Sequence, residues 1–161
     1  MGEPIVVANS TPIILLHKVG QLELLNSLYS RIYIPQAVYK EIVDGNVKED
    51  FISAHSFIDI VQIQNAETKR LFSPSLHEGE TETIMLAMEM SADLCILDDL
   101  LARKYAKNAG FNITGTLGIL LTAKNKGHIK AVKLIIDKLI AEGMYVDKEL
   151  YLSVLDIAKE V

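Results

Sequence analysis

Short apolar runs alternate with longer helical stretches along the chain. Residues 5–8 form an apolar run of strand length, residues 31–35 form another that ends at a proline, and residues 93–99 form one that ends in two carboxylates. Residues 57–63 alternate like a strand, and residues 111–115 are typical of a short strand and turn. The pattern therefore predicts about four or five strands.

Helical periodicity fills the intervals between these runs. Proline and capping residues mark helix starts, and Gly20, Gly45 and Gly110 mark helix ends. The predicted helices cover residues 13–19, 22–28, 37–43, 80–90, 100–108, 117–125, 130–141 and 148–159, with a further helix near 49–52. Strands that alternate with helices predict an α/β fold, a single three-layer domain over residues 1–161. Its central sheet should be mostly parallel, with helices on both faces.

Polar residues follow the predicted strands at the positions where parallel sheets place their sites. Asn9 follows the first strand, Asp98 and Asp99 follow the fourth, and Thr114 ends the last. Ligands of such sheets bind beyond the carboxyl ends of the strands, near the switch in strand order. We therefore expect these residues to lie close together although they are far apart in the sequence.

Three glutamates lie on the predicted helices, and their positions indicate different roles. Glu80 shares a helix face with apolar residues, which is costly for a carboxylate unless a cation or hydrogen bonds compensate. For Glu82, the preferred interpretation is a first-turn glutamate that the helix N-terminus stabilises. Glu80 is interpreted instead as functional, and Glu41 by itself is typical of a surface residue.

The charges are separated into an acidic and a basic block. The net charge of −5 argues against a protein that coats nucleic acid. Between positions 71 and 102 there are seven acids and no Lys or Arg, and between 103 and 136 there are seven bases and no acid. A metal-dependent phosphodiesterase would hold a cation with the acids and attract a polyanion with the bases. The alternative, favoured on charge alone, is two solvated helix surfaces of opposite charge.

Other residue types limit the remaining classes. The single cysteine, Cys95, excludes an internal disulfide and a cysteine-based zinc site, and the four histidines lack the spacing of metal ligands. No apolar run approaches the roughly 18 residues of a membrane span, and the N-terminus lacks the pattern of a secretory signal. We therefore expect a cytoplasmic protein with no membrane partner.

Five motifs in order resemble those of the PIN domain family. Residues 7–14 (VANSTPII) and 34–41 (IPQAVYKE) resemble the opening of such a domain, and residues 79–84 (GETETI) and 97–103 (LDDLLAR) extend the resemblance. Residues 114–118 (TGTLG) are similar to a branch of PIN-like proteins often described as predicted nucleic-acid-binding proteins. The resemblance covers nearly the whole chain.

The resemblance implies a metal-dependent endoribonuclease that hydrolyses RNA phosphodiesters, commonly the toxin of a toxin–antitoxin pair. Mg²⁺ or Mn²⁺ would be held by Asn9, Glu41, Glu80 and Asp98, with Asp99 as a further member, and the first four should converge in one cleft. The catalytic acids would be Glu41, Glu80 and Asp98. The residues implied to contact the substrate or support the ligands are Ser10, Thr11, Arg103, Thr114 and Thr116.

The partners implied are single-stranded RNA, an antitoxin protein and a second copy of the chain. The segment 46–75 and the C-terminal helix offer apolar side chains for a homodimer, namely Phe51, Ile52, Phe57, Leu152 and Leu155. The alternative is that these side chains only close the hydrophobic core of the monomer.

Asn9 departs from the family pattern, which usually has aspartate after the first strand. The amide oxygen of asparagine is an acceptable ligand for a hard cation, but the substitution removes one negative charge. We therefore expect weaker metal binding. The second hypothesis is a PIN domain that has lost catalysis and acts as an RNA- or protein-binding module.

Overall fold

A five-stranded parallel sheet forms the centre of the structure, a computed structural model that describes residues 2–45 and 51–161. The strands are β1 (Val6–Ala8), β2 (Ile32–Pro35), β3 (Ile58–Val61), β4 (Leu94–Ile96) and β5 (Ile113–Thr114). They lie in the order β3-β2-β1-β4-β5, and every neighbouring pair is parallel. The predicted α/β fold with a parallel sheet is therefore confirmed.

Helices connect the strands and cover the sheet. They are α1 (Ser10–Lys18), α2 (Glu23–Tyr29), α3 (Gln36–Asp44), α4 (Phe51–Ala54), α5 (Glu78–Met90), α6 (Leu100–Asn108), α7 (Thr116–Asn125), α8 (Lys133–Ala141) and α9 (Lys148–Ile157), with a 3-10 helix at Ala66–Leu71. In the described ranges, no helix is long and apolar enough to cross a membrane.

The side chains of β1 alternate between two hydrophobic cores. Val6 and Ala8 pack into the core formed with residues of α1, α2, α3 and α7, whereas Val7 packs into the core formed with residues of α5 and α6. Because successive strand residues face opposite sides of a sheet, helices cover both faces, as the sequence predicted. Cys95 of β4 is fully buried in the second core, and burial raises the pKa of its thiol to about 12.

The strand order reverses between β1 and β4. The chain runs from β1 outward through β2 to β3, and then returns across the sheet to place β4 on the other side of β1. The carboxyl ends of β1 and β4 therefore flank the switch point, where parallel sheets leave a crevice. The backbone N–H of Asn9, just after β1, donates to the carbonyl of Ile96 at the end of β4 (3.0 Å).

Two helices start at residues other than those that the sequence pattern predicts. Helix α1 begins at Ser10 rather than residue 13, with Pro12 in its first turn, where a missing N–H has no cost. Helix α8 begins at Lys133 rather than residue 130, because the Glu160 carboxylate accepts the N–H groups of Val132 (2.8 Å) and Lys133 (3.0 Å). The predicted helix near 49–52 falls partly on residues 46–50, outside the described residues.

Most of the apolar side chains that the sequence offered for a homodimer lie inside the monomer. Phe51, Phe57 and Leu155 are buried in the core around α1, and Ile52 packs against the same core. Leu152 is partly exposed. For Phe51, Phe57 and Leu155 the structure therefore agrees with the alternative interpretation, that these side chains close the core of the monomer, and the homodimer itself stays a prediction.

Candidate functional site

Asn9 lies buried at the switch point between β1 and β4. Its residue is 4% exposed, and its backbone is extended (φ −81°, ψ 169°), so the alternation of β1 continues and Asn9 follows Val7 onto the side covered by α5. Among the described residues, none donates a hydrogen bond to the buried Oδ1 of Asn9. A buried amide oxygen without a partner is costly and points to a ligand that the protein itself does not supply.

Thr116 holds the carboxylate of Asp98 on both oxygens. The backbone N–H of Thr116 donates to Oδ1 (2.8 Å), and its hydroxyl donates to Oδ2 (2.6 Å). Thr116 is fully buried at the start of α7, so its own conformation is fixed by packing. Asp98 therefore has one orientation, with its remaining lone pairs available beyond the end of β4.

Glu80 is a buried carboxylate in the first turn of α5. Its residue is 6% exposed, and Oε1 accepts the backbone N–H of His77 (2.9 Å). Burial raises the pKa of Glu80, the hydrogen bond from His77 opposes this, and the nearby negative charge of Asp99 raises the pKa further. The predicted cost of a carboxylate on this apolar face is thus only partly compensated by helix capping.

Glu80 and Asp98 line one cleft of about 950 Å³ beyond the carboxyl ends of the strands. Asp99 is exposed at its edge and caps α6 by accepting the N–H of Ala102 (2.9 Å). Several other residues of the predicted site share the cleft, namely Thr11, Arg103 and Thr114. The Nη1 group of Arg103 donates to the carbonyl of Leu97 (2.9 Å), which holds the guanidinium beside Asp98.

Glu41 lies in a separate depression of about 730 Å³, and His77 lines both this depression and the main cleft. The hydroxyl of Ser10 donates to Oε1 of Glu41 (3.2 Å). Burial raises the pKa of Glu41, the Ser10 hydrogen bond opposes this, and the charge of Glu80 raises the pKa further. The four predicted ligands therefore do not line a single cleft, although Glu41 and Glu80 are close enough for their charges to interact.

Gly79 allows Glu41 to approach α5. A β-carbon at position 79 would overlap Oε1 of Glu41 and lie 2.7 Å from its Cδ and 2.9 Å from its Oε2. The glycine in the second position of α5 thus makes room for a carboxylate from α3. Neither Gly79 nor His77 was predicted as a site residue. The signals for them were the motif at residues 79–84, which contains Gly79, and the position of His77 three residues before Glu80.

Most charges of the acidic block have structural partners outside the cleft. Glu82 accepts the N–H of Ala37 (3.2 Å) and the ammonium group of Lys69 (2.9 Å), so it joins α5 to α3 rather than only stabilising its own helix N-terminus. Glu89 and Asp93 accept backbone N–H groups of Gln64 and Ile5, respectively. The three members of the block that line the cleft are Glu80, Asp98 and Asp99.

The donor set at the switch point fits a hard divalent cation in its chemistry. The cleft offers carboxylate oxygens from Glu80 and Asp98, and Mg²⁺ is typically bound by one or two carboxylates together with water. Asn9, whose Oδ1 has no partner among the described residues, lies at the end of β1 and is not among the residues that line the cleft. Over residues 2–45 and 51–161, no three acidic, histidine or cysteine side chains are close enough to hold one ion by themselves. Any such set would therefore combine at most two of these side chains with other oxygen ligands, among which the amide oxygen of Asn9 is a candidate.

We expect a methyl group at position 79 to displace Glu41 without weakening the protein. Alanine is favoured over glycine in a helix by about 1 kcal/mol, and the atoms that it would meet belong to the movable end of the Glu41 side chain. Gly79→Ala should keep or raise the melting temperature and lower any cation-induced stabilisation. The same substitution in a Glu41→Ala background should leave the cation response unchanged, because the displaced group is gone. Equal effects in both backgrounds would contradict the role of this contact.

Comparisons with known proteins agree with the fold. A family described as a PIN domain matches residues 5–160. The solved structure of a PilT N-terminus domain protein from the hyperthermophilic archaeon Sulfolobus solfataricus P2 is similar, with a TM-score of 0.58 and 19% sequence identity. The alignment covers 74% of this chain and 93% of that chain. A comparison with curated proteins gave no significant match.

Proposed function

Because the chain belongs to the PIN domain family, whose members are generally nucleases, we propose that it is an endoribonuclease that uses Mg²⁺ or Mn²⁺ to hydrolyse phosphodiesters of single-stranded RNA. The family match supports the nuclease class, and the metal and the RNA belong to the proposal. The catalytic acids in this proposal are Glu80 and Asp98, with Glu41 in support from the neighbouring depression.

The unpartnered Oδ1 of Asn9 is the observation that carries this proposal. A folded protein rarely leaves a buried amide oxygen without a hydrogen bond, because the desolvation of that group costs about 1–3 kcal/mol. The oxygen lies at the strand-order switch, where two acids, Glu80 and Asp98, line the adjoining cleft. A cation bound there would satisfy the oxygen and neutralise the carboxylates.

The side chains of the cleft, together with Asn9 and Thr116 next to it, have distinct parts in the proposed reaction. A bound divalent cation would supply charge stabilisation and a more acidic water molecule. Asn9, Glu80 and Asp98 would hold that cation, and Thr116 keeps the Asp98 carboxylate in one orientation. Arg103 would contact the phosphate, since its guanidinium lines the cleft and keeps N–H groups beyond the one given to Leu97.

A catalytically inactive RNA-binding domain is the second candidate function. The observation that favours it is Asn9 itself, which replaces the acid usual in the family and lowers the negative charge at the switch point. The predicted toxin role, antitoxin partner and homodimer stay predictions.

A cation-dependent stability measurement tests the proposal. Carboxylates that repel one another should be stabilised by Mn²⁺, by about 2.7 kcal/mol at a concentration one hundred times the Kd. In a domain of this size, each kcal/mol corresponds to about 2–4 °C in the melting temperature. Asp98→Asn should abolish both this shift and the cleavage of a single-stranded RNA.

The matched control is Asp156→Asn, which removes a charge from an exposed position on α9. Asp156→Asn should leave the Mn²⁺-induced thermal shift and the cleavage of single-stranded RNA as in the unmodified protein. RNA binding without a cation response or cleavage would instead support the inactive binding module. If the unmodified protein shows no thermal shift, no RNA binding and no cleavage in millimolar Mn²⁺, both candidate functions are wrong.

A further inference from the structure

Two of the most exposed apolar side chains of the protein line the same cleft as Glu80 and Asp98. Tyr145, in the turn between α8 and α9, is 84% exposed, and Leu100, at the start of α6, is 83% exposed. Neither side chain contributes to the hydrophobic cores. Leu100 directly follows Asp99 in the sequence, so an exposed apolar side chain lies next to the acidic residues of the cleft.

The turn that carries Tyr145 is anchored at both ends. Gly143 adopts a positive φ of 104° at the end of α8, and the N–H of Met144 donates to the carbonyl of Leu139 (3.0 Å), as in a glycine-terminated helix. Met144 packs against the core. Asp147 caps α9 by accepting the N–H of Leu150 (2.8 Å). Tyr145 is therefore exposed on a fixed backbone rather than on a loose terminus.

We propose that Tyr145 and Leu100 form a subsite for one nucleobase of the bound RNA, next to the phosphate that the acids and Arg103 engage. This inference rests on the proposed function. The cleft combines a guanidinium for a phosphate, oxygen ligands for a cation and an exposed aromatic ring. A single-stranded nucleic acid carries the complementary groups in series, since every nucleotide joins an anionic phosphate to a base with a flat π face. An exposed tyrosine binds such a face without regard to sequence.

A binding experiment with variants of Tyr145 tests the subsite. A fluorescein-labelled ten-nucleotide polyuridine is titrated with the full chain in EDTA, where the proposed cation-dependent cleavage cannot occur. Tyr145→Ala should weaken binding by about 5- to 150-fold, the range for one stacked base, and Tyr145→Phe should preserve it. Leu134→Ala removes another exposed apolar side chain (69% exposed), which lies on α8 outside the cleft lining, and should have no effect.

A series of oligonucleotides with one abasic position then identifies what the tyrosine contacts. For the protein with Tyr145, one abasic position should weaken binding about as much as Tyr145→Ala does, and Tyr145→Ala should remove the sensitivity to that position. Equal sensitivity in both proteins would overturn the subsite and leave the nuclease proposal intact. RNA binding that Tyr145→Ala does not change would also overturn the nucleobase subsite. A protein partner would then be the remaining occupant for the surface formed by Tyr145 and Leu100. No RNA binding by any form of the protein would overturn the proposed function and the subsite together.

Discussion

Replacing Asn9 with aspartate should weaken the cation-free protein and strengthen its binding of Mn²⁺. The residue is 4% exposed, so the added charge loses most of its hydration, and it lies at the strand end next to the cleft that the acids Glu80 and Asp98 line. We expect the free energy of unfolding in EDTA to fall by about 1–3 kcal/mol. In Mn²⁺ the same charge attracts the cation, and a unit charge 4 Å away is worth about 4 kcal/mol at an effective dielectric constant of 20.

Desolvation and repulsion among the acids offset part of that attraction, but a tenfold gain in affinity requires only about 1.4 kcal/mol. Isothermal titration calorimetry should therefore show Mn²⁺ binding at least about tenfold tighter in Asn9→Asp. Cleavage of single-stranded RNA at sub-saturating Mn²⁺ should rise by a similar factor. Asn108→Asp adds the same charge at an exposed position of α6 and should change neither value. Unchanged Mn²⁺ affinity in Asn9→Asp would show that Asn9 is not a ligand.

Replacing Glu80 with glutamine should stabilise the cation-free protein at neutral pH. Burial and the charge of Asp99 raise the pKa of Glu80, so the folded state favours its protonated form. A raised pKa contributes stability that is fully present below the ordinary pKa of about 4.3 and is lost as pH rises through the folded-state value. Glutamine keeps the uncharged form at every pH, and its Oε1 still accepts the N–H of His77.

Urea unfolding in EDTA should therefore show Glu80→Gln more stable at pH 7 by about 0.5–2 kcal/mol, with the difference vanishing near pH 4. In Mn²⁺, by contrast, Glu80→Gln should lose the cation-induced rise in melting temperature. Glu78→Gln, two residues earlier at an exposed position of α5, should change stability by less than about 0.5 kcal/mol at both pH values. A Glu80→Gln protein that is less stable at pH 7 would mean that the carboxylate is there for structure alone.

The order of strands and helices was predictable because it depends on patterns within short segments. Residues 5–8, 32–35 and 94–97 are apolar over the length of a strand, and the predicted ranges 5–8, 31–35 and 93–99 each contain the strand that the structure shows there. Helix α6 begins and ends as predicted, since Asp99 caps it by a hydrogen bond within its own first turn. The buried position of Glu80 followed from helix periodicity for the same reason.

The organisation of the site depended on contacts between distant segments. The sequence around Glu82 does not predict that Glu82 accepts the N–H of Ala37. The sequence around Asp98 likewise does not predict that Thr116 donates to both carboxylate oxygens of Asp98. The separation of Glu41 from the main cleft likewise follows from how α3 packs against α5. The exposure of Tyr145 follows from the way in which α8 ends and α9 begins, although a tyrosine in a sequence is usually taken as partly buried.

The sequence by itself thus determined the fold class, the strand ends and the residue types that follow them, because backbone conformation and apolar periodicity are local properties. The tertiary structure alone decided which oxygen atoms remain without partners and which side chains share a cleft. Those outcomes depend on the placement of residues far apart in the sequence, such as Thr11 and Tyr145 of the same cleft, and on which hydrogen bonds the packed helices have already formed.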